Sequence, residues 1–273
     1  MATHGSAFPI AKLALNNNVP PILMASLRMG MVMLLLIPFW KFKIPDKKYL
    51  KSLILFSISM GVMVYVFMNL SLKHSSFISP IIIGAQLAVP FAVLLSAKMI
   101  GESISTKKWM YVILAFVGII IVFFDPELKN NLLGLFFASL MALFFAIAQV
   151  YSRQLKELSL IILNVYTGFF GFFVLIVVSF FVEGEVIINI KNINFESWIL
   201  ISYQAVIVSL FAHMSMFYLY KFYTVGQIFP FYSLFPIFGI ILTFLIFGEI
   251  PSLLFFIGSF IVISSVILLQ KTK

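Results

Sequence analysis

Residues 107–130, KKWMYVILAFVGIIIVFFDPELKN, contain the pattern that decides the fold. Two lysines begin the segment, an uncharged apolar run follows, and Asp125-Pro126-Glu127 closes it. Apolar runs of about 20 residues match the roughly 30 Å hydrocarbon core of a bilayer, and Lys and Arg mark the cytoplasmic end. The segment therefore predicts a transmembrane helix whose lysine end faces the cytoplasm.

The same pattern recurs along all 273 residues, of which 63% are hydrophobic and 10% are charged. A soluble domain carries about 25% charged residues, so a water-soluble fold is excluded. Helices satisfy their own backbone in lipid, and the fold class predicted is an all-α membrane protein with ten transmembrane helices, the first of them short. The predicted spans are 2–16, 19–40, 50–72, 76–98, 107–124, 131–153, 159–182, 197–221, 226–248 and 252–270.

Lysine and arginine gather in every second joint between these spans. One side collects 13 of them and the other side 3, which predicts that both termini are cytoplasmic. The net charge of +9 is thus an orientation signal rather than a nucleic-acid patch. The 13 are Lys41, Lys43, Lys47, Lys48, Lys51, Lys98, Lys107, Lys108, Arg153, Lys156, Lys221, Lys271 and Lys273, and the 3 are Lys73, Lys129 and Lys191.

The two halves of the chain look like copies of each other. In residues 1–124, Pro90 precedes the pair Gly101-Glu102 at the end of the fourth span. In residues 131–270, Pro236 precedes the pair Gly248-Glu249 at the end of the ninth. Because each half has an odd number of spans, the second copy is upside down relative to the first. Inverted repeats are typical of secondary transporters, with the substrate site near the midplane between them.

These features resemble the EamA-type branch of the drug/metabolite transporter superfamily over nearly the whole chain. The first span resembles the family in Gly5-Ser6-Ala7-Phe8 followed by Lys12, and Pro20-Pro21 followed by Arg28 resembles its second span. Family members usually begin with several more apolar residues than Met1-Ala2-Thr3-His4, so we expect either a start further upstream or a first helix cut short. Further matches are Gly101-Glu102, Gly118, Pro236, Glu249 and Gly258.

The resemblance implies transport of small metabolites across a bacterial inner membrane, and the strongest likeness is to exporters of amino-acid metabolites such as cysteine and O-acetylserine. Two alternatives remain open. The Lys, Asn, Ile and Phe usage hints at an AT-rich, host-dependent bacterium, in which import of a host metabolite such as S-adenosylmethionine is an alternative. A membrane scaffold subunit that transports nothing is the other.

Polar side chains inside lipid usually face the bundle interior or a water-filled cavity, which makes Arg28 the strongest binding candidate. Its guanidinium can neutralise a carboxylate through two oxygens, although a structural role, in which it pairs with backbone carbonyls or snorkels to the outer interface along the first helix, is slightly favoured. Lys12 lies nearer a helix end, where snorkelling to the interface is favoured. Gln86 shares a face with Pro90, which leaves the Gln86 carbonyl without its usual donor. The other candidates are Tyr65, Asn69, Gln149, Tyr203, His213 and Ser233.

The helix-end acids Glu102 and Glu249 are expected to cap helices or form salt bridges rather than to couple ions. Motifs for metal, nucleotide or nucleophilic chemistry do not occur, and the chain has no cysteine, so we expect no enzyme activity, metal or cofactor. The expected partners are the lipid bilayer and a small-molecule substrate, with no nucleic acid, and a homodimer is left open.

Overall fold

A computed structural model describes residues 1–40, 44–101, 103–212, 215 and 234–272. This part of the chain contains helices and no strand. Besides a one-turn helix, Ala2–Gly5, and a seven-residue helix, Val186–Asn192, the described residues form ten longer helices. These are α1 Ala7–Asn16, α2 Pro21–Leu36, α3 Lys47–Lys73, α4 Ser79–Met99, α5 Thr106–Phe123, α6 Leu132–Gln154, α7 Leu160–Val182, α8 Phe195–Ala212, α9 Phe235–Phe247 and α10 Leu253–Lys271.

Eight of the described helices are long and apolar enough to cross a membrane, namely α2 to α8 and α10. In the described residues α9 is a shorter apolar helix, and α1 has 10 residues. At 1.5 Å per residue, 10 residues extend only about 15 Å, half of the hydrocarbon core. The structure is therefore an all-helical membrane fold with eight full-length candidate spans.

The Gly-Glu pairs end helices for a clear backbone reason. Gly101 follows α4 with φ of 76°, and Gly248 follows α9 with φ of 66°. Both angles lie in the left-handed region, which glycine adopts without the steric cost that a Cβ brings, so glycine is the usual residue after a helix end. Pro236 lies in the first turn of α9, where a proline needs no hydrogen-bond partner for its nitrogen.

The helices pack in matched pairs, five helices apart in the chain. α2 packs along α7, and α5 packs along α10. α6 contacts α3 and α4, and α1 correspondingly contacts α8 and α9. α5 and α10 meet at two glycines. A Cβ added to Gly118 would lie 2.8 Å from the carbonyl oxygen of Gly258, and a Cβ added to Gly258 would lie 2.7 Å from the carbonyl oxygen of Gly118. Small residues allow this close backbone approach, as they do in other membrane helix pairs.

Two helices that occupy matching positions in the two halves also carry matching distortions. α3 is π-helical over Ile58–Val64, and α8 is π-helical over Gln204–Ala212. π-helical segments are rare and occur frequently at functional sites. Met60 and Val64 of the first segment and Val208 of the second line the cavity described below.

Large apolar side chains cover the outside of the bundle. Phe181 is 79% exposed and Phe260 is 74% exposed, and Phe244, Leu245 and Ile257 are exposed as well. In water such a surface would drive association, whereas in a bilayer it contacts acyl chains. The described surface therefore agrees with the lipid contact expected from the composition.

Candidate functional site

A cavity lies between the two halves of the bundle. It is lined by residues of α1, α2, α3, α4 and α6, by His4, by Val208 of α8 and by Phe235 of α9. Its volume is about 90 Å³, below the roughly 300–1,000 Å³ of pockets for drug-sized ligands. Phe8 and Phe235 are stacked with ring centroids 6.3 Å apart, so an aromatic wall joins the first half to the second.

Arg28 is buried in the cavity wall, with 3% of its surface exposed. Its Nε donates a hydrogen bond of 2.9 Å to Ser209 Oγ, which the π-helical segment of α8 carries. Its Cζ lies 4.2 Å from the centre of the Tyr65 ring, a cation–π contact. Nη1 is buried and has no hydrogen-bond partner in the described part of the chain. Among the described residues, the guanidinium is thus held by one bond and one ring, and part of its donor capacity is unused.

Gln86 lines the same cavity from a distorted turn of α4. Residues Ala85–Leu87 form a 3₁₀ segment one turn before Pro90, where the proline removes a helical hydrogen bond. The Gln86 carbonyl, expected to be unpaired, instead accepts a backbone N–H at the end of this segment. Its side chain is 3% exposed, and Nε2 has no hydrogen-bond partner among the residues that the structure describes. The tighter turn therefore satisfies the backbone and leaves the amide nitrogen unpaired in the cavity wall.

Four of the binding candidates, among them Arg28 and Gln86, come together in the cavity. Tyr65 is buried in the wall, and Gln149 is half-buried there. Asn69 instead donates a bond of 2.9 Å to the Pro21 carbonyl, and the Tyr203 hydroxyl is 2.9 Å from Ser6 Oγ. Asn69 and Tyr203 therefore connect helices in the described structure and do not line the cavity, and their role in binding stays a prediction. His213, Ser233 and Glu102 lie outside the described residues.

Sequence reasoning missed Ser209 and His4. Ser209 bonds Arg28, but a serine in an apolar span gives no signal of its partner. His4 is buried and lines the cavity, although it lies in the first turn of the chain. Only the packing of the Ala2–Gly5 helix against α9 brings it there.

At one end of the bundle, which we call the acidic face, carboxylates bind helix starts. Glu249 accepts the N–H groups of Ile78 and Ser79 at 2.7 and 2.8 Å, at the start of α4. Glu183 accepts those of Ile22 and Leu23 at 2.7 and 2.9 Å, at the start of α2. Both acids therefore satisfy backbone donors that a helix start leaves unpaired.

Two further contacts join helices at the acidic face. Ser252, which caps α10, donates a hydrogen bond to Asp125. Lys12 Nζ donates to the carbonyl oxygens of Leu72 and Ser75 at 2.6 and 2.7 Å, at the end of α3. Lys12 thus serves the helix end rather than the cavity. In the described residues, no group of three or more His, Asp or Glu side chains could hold a metal ion.

The fold and the cavity define the class as a polytopic membrane protein built from two helical halves. A model of the EamA-like transporter family matches residues 1–124 and again residues 132–270. The chain belongs to this family, which consists of membrane transporters of small molecules.

One solved crystal structure is similar to this chain, with a TM-score of 0.52 and a sequence identity of 14%. The alignment covers 97% of this chain and 94% of the chain in that structure. A likeness at this identity concerns the fold alone. No curated protein matches the chain.

Proposed function

We propose that this chain is a secondary transporter that exports small metabolites, such as amino acids or their derivatives, across a bacterial inner membrane. The observation that carries the proposal is Arg28, a buried charge with an unpaired Nη1 in a cavity between the two halves. Charges within membrane spans are costly and mark substrate or ion pathways. The export direction and the bacterial membrane are supported by the resemblance to exporters of amino-acid metabolites.

The architecture we propose is two inverted repeats of five spans, residues 1–124 and 131–270, related by a pseudo-two-fold axis in the membrane plane. The matched packing of α2 with α7 and of α5 with α10 supports it. The reciprocal contact of Gly118 and Gly258 is what a two-fold axis between α5 and α10 produces. Alternating access in such folds is largely the rocking of one repeat against the other around a fixed site.

Family membership disfavours the scaffold alternative, and flux tests it directly. Purified protein reconstituted into vesicles should move a labelled amino-acid metabolite faster than protein-free vesicles do. Absence of flux for a broad panel of metabolites, with folded protein in the vesicles, would support the scaffold instead.

Arg28→Leu tests the site. It should reduce flux to the background of protein-free vesicles while the protein still inserts, since losing an intramembrane charge lowers the cost of insertion. Arg28→Lys should retain partial flux, about tenfold lower, because a point charge keeps the attraction and loses the two-oxygen geometry. Folded yield is measured alongside flux for both variants.

Two results would contradict the role of Arg28 as the substrate contact. Normal flux in Arg28→Leu would assign it a structural role and turn attention to Tyr65, Gln86 and Gln149. Loss of folded protein in Arg28→Leu, with normal flux per folded molecule in Arg28→Lys, would assign the charge to assembly.

A further inference from the structure

The described wall of the cavity contains one arginine, no lysine and no acidic side chain. Arg28 is the only Lys, Arg, Asp or Glu among the described residues that line it. Its described contacts are a hydroxyl, Ser209 Oγ, and an aromatic ring, that of Tyr65. Neither group is a carboxylate, so no carboxylate contacts this guanidinium in the described structure.

The sequence extends this observation to the residues that the structure does not describe. The chain has nine acidic residues, and each of them falls in a joint between predicted spans. No predicted span, including residues 197–221 and 226–248, contains an Asp or a Glu. The acids are Asp46, Glu102, Asp125, Glu127, Glu157, Glu183, Glu185, Glu196 and Glu249.

Two nitrogen donors in the described part of the cavity wall have no acceptor. They are Arg28 Nη1 and Gln86 Nε2, on residues that are each 3% exposed. Buried donors are nearly always hydrogen-bonded, and each exception requires an explanation. A ligand that brings acceptor oxygens would satisfy both donors, and one that also brings negative charge would compensate Arg28.

We propose that the cavity selects solutes of net negative charge: a carboxylate binds Arg28, and the Gln86 amide donates to a second, uncharged oxygen. This inference rests on the proposed function and narrows its substrate class. Phe8 and Phe235 provide an apolar wall for the rest of the solute. N-acylated amino acids and keto acids have this chemistry, because each combines a carboxylate with a neutral carbonyl and lacks an ammonium group.

The presence of Arg28 and the absence of acidic residues from the predicted spans disfavour the binding of cationic solutes. A buried ammonium or sulfonium group would add a second positive charge to a cavity that already contains Arg28, and the spans contain no acidic side chain to compensate it. A zwitterionic amino acid would leave its ammonium without a carboxylate partner, and an amino-acid amide would add positive charge beside Arg28. S-adenosylmethionine, which carries a sulfonium, fits this cavity poorly for the same reason.

The test uses ligands that share a side chain and differ in net charge: N-acetylmethionine, methionine and methioninamide, with the corresponding phenylalanine compounds as a second set. At about pH 6 the carboxylates are ionised and the amines are protonated. Ligands that bind only the folded protein raise its unfolding temperature with concentration. We expect the purified full-length protein to bind the N-acetyl compounds at least about tenfold more tightly than the amides, with the amino acids between them.

Three variants locate the selectivity in the cavity. Arg28→Leu should remove the preference for anions, whereas anion binding to the basic surface of the protein would survive it. Gln86→Glu should bring the ratio of the two affinities close to one, because it places a carboxylate near Arg28. Gln154→Glu is the matched control, since Gln154 is an exposed residue of α6 that does not line the cavity.

Two outcomes would overturn the inference. One is equal or tighter binding of the amides by the unsubstituted protein, and the other is the absence of binding by every N-acetyl compound. If either occurs while reconstituted vesicles still transport a zwitterionic or cationic metabolite, the proposed function survives and only the charge selectivity is wrong. An anion preference that persists in Arg28→Leu would also overturn it, because the preference would then arise at the surface.

Discussion

Carboxylates at the acidic face bind backbone N–H groups of helix starts, whereas two side chains in the cavity wall keep a donor nitrogen without a described partner. At the acidic face, Glu249 and Glu183 each accept two backbone N–H groups, and Lys12 donates to two carbonyls. In the cavity, Arg28 and Gln86 each keep a donor nitrogen without a partner. An unpaired buried donor costs about 1–3 kcal/mol. The paired groups at the acidic face therefore hold helix ends together, and the two unpaired donors in the cavity wall are available to a solute.

The topology prediction has the largest expected effect, because its result is all or none. A reporter fused after Lys273 should remain cytoplasmic, and one inserted between Asp125 and Lys129 should be exported, as the lysine distribution requires. The location of the two reporters is read by their compartment-specific activity. The reverse locations would put the acidic face in the cytoplasm and would contradict the direction assigned to transport.

Glu249→Ala should cause the largest loss of stability at the acidic face. It leaves the N–H groups of Ile78 and Ser79 without their acceptor, which should lower the free energy of unfolding by about 3 kcal/mol. Glu249→Gln keeps one acceptor oxygen and should lose about half as much. The folded yield and the unfolding temperature in detergent are measured for both variants.

Glu196→Ala is the control for this pair, because Glu196 is exposed. Flux per folded molecule should be unchanged in Glu249→Ala, in contrast to Arg28→Leu. If Glu249→Ala folds normally and fails to transport, the distinction between a structural face and a functional cavity is wrong.

Lys12→Met should have a smaller effect. The variant loses two charge-assisted bonds to the end of α3, and a destabilisation of about 1–3 kcal/mol is expected with flux per folded molecule retained. Lys73→Met is a matched control, since Lys73 is an exposed lysine in the last turn of α3. A loss of ligand binding in Lys12→Met would extend the site toward the acidic face.

A substitution at the opposite end of the bundle should have the smallest effect on stability. Tyr49 donates a hydrogen bond to Glu157, and this bond, with the charge of Lys48, lowers the pKa of the Glu157 carboxyl. A lowered carboxyl pKa stabilises the fold at neutral pH and loses that contribution as the pH falls through the folded-state pKa. Glu157 is exposed and solvent screens this contribution, so Glu157→Gln should lower the unfolding temperature at neutral pH less than Lys12→Met does. A decrease as large as that in Lys12→Met would mean that this end also carries structural carboxylates.

Several helix bounds were predicted from sequence to within two residues. The predicted span 107–124 is observed as Thr106–Phe123, and 159–182 is observed as Leu160–Val182. The family assignment was confirmed as well. The count of ten spans stays a prediction, since eight described helices have full length. The π-helical segments in α3 and α8 were not predicted, because an apolar run has no periodicity that separates them from an α-helix.

The amino-acid sequence by itself determined that the chain is a membrane protein of two similar halves, that its acids lie in the joints, and which polar residues lie within spans. These are local properties of run length and residue type. Tertiary structure alone decided that Arg28, Tyr65 and Gln86 share a cavity whereas Asn69 and Tyr203 bind other helices. In an apolar span, the sequence specifies that a polar side chain needs a partner. Which partner it has depends on the helix that packs against it.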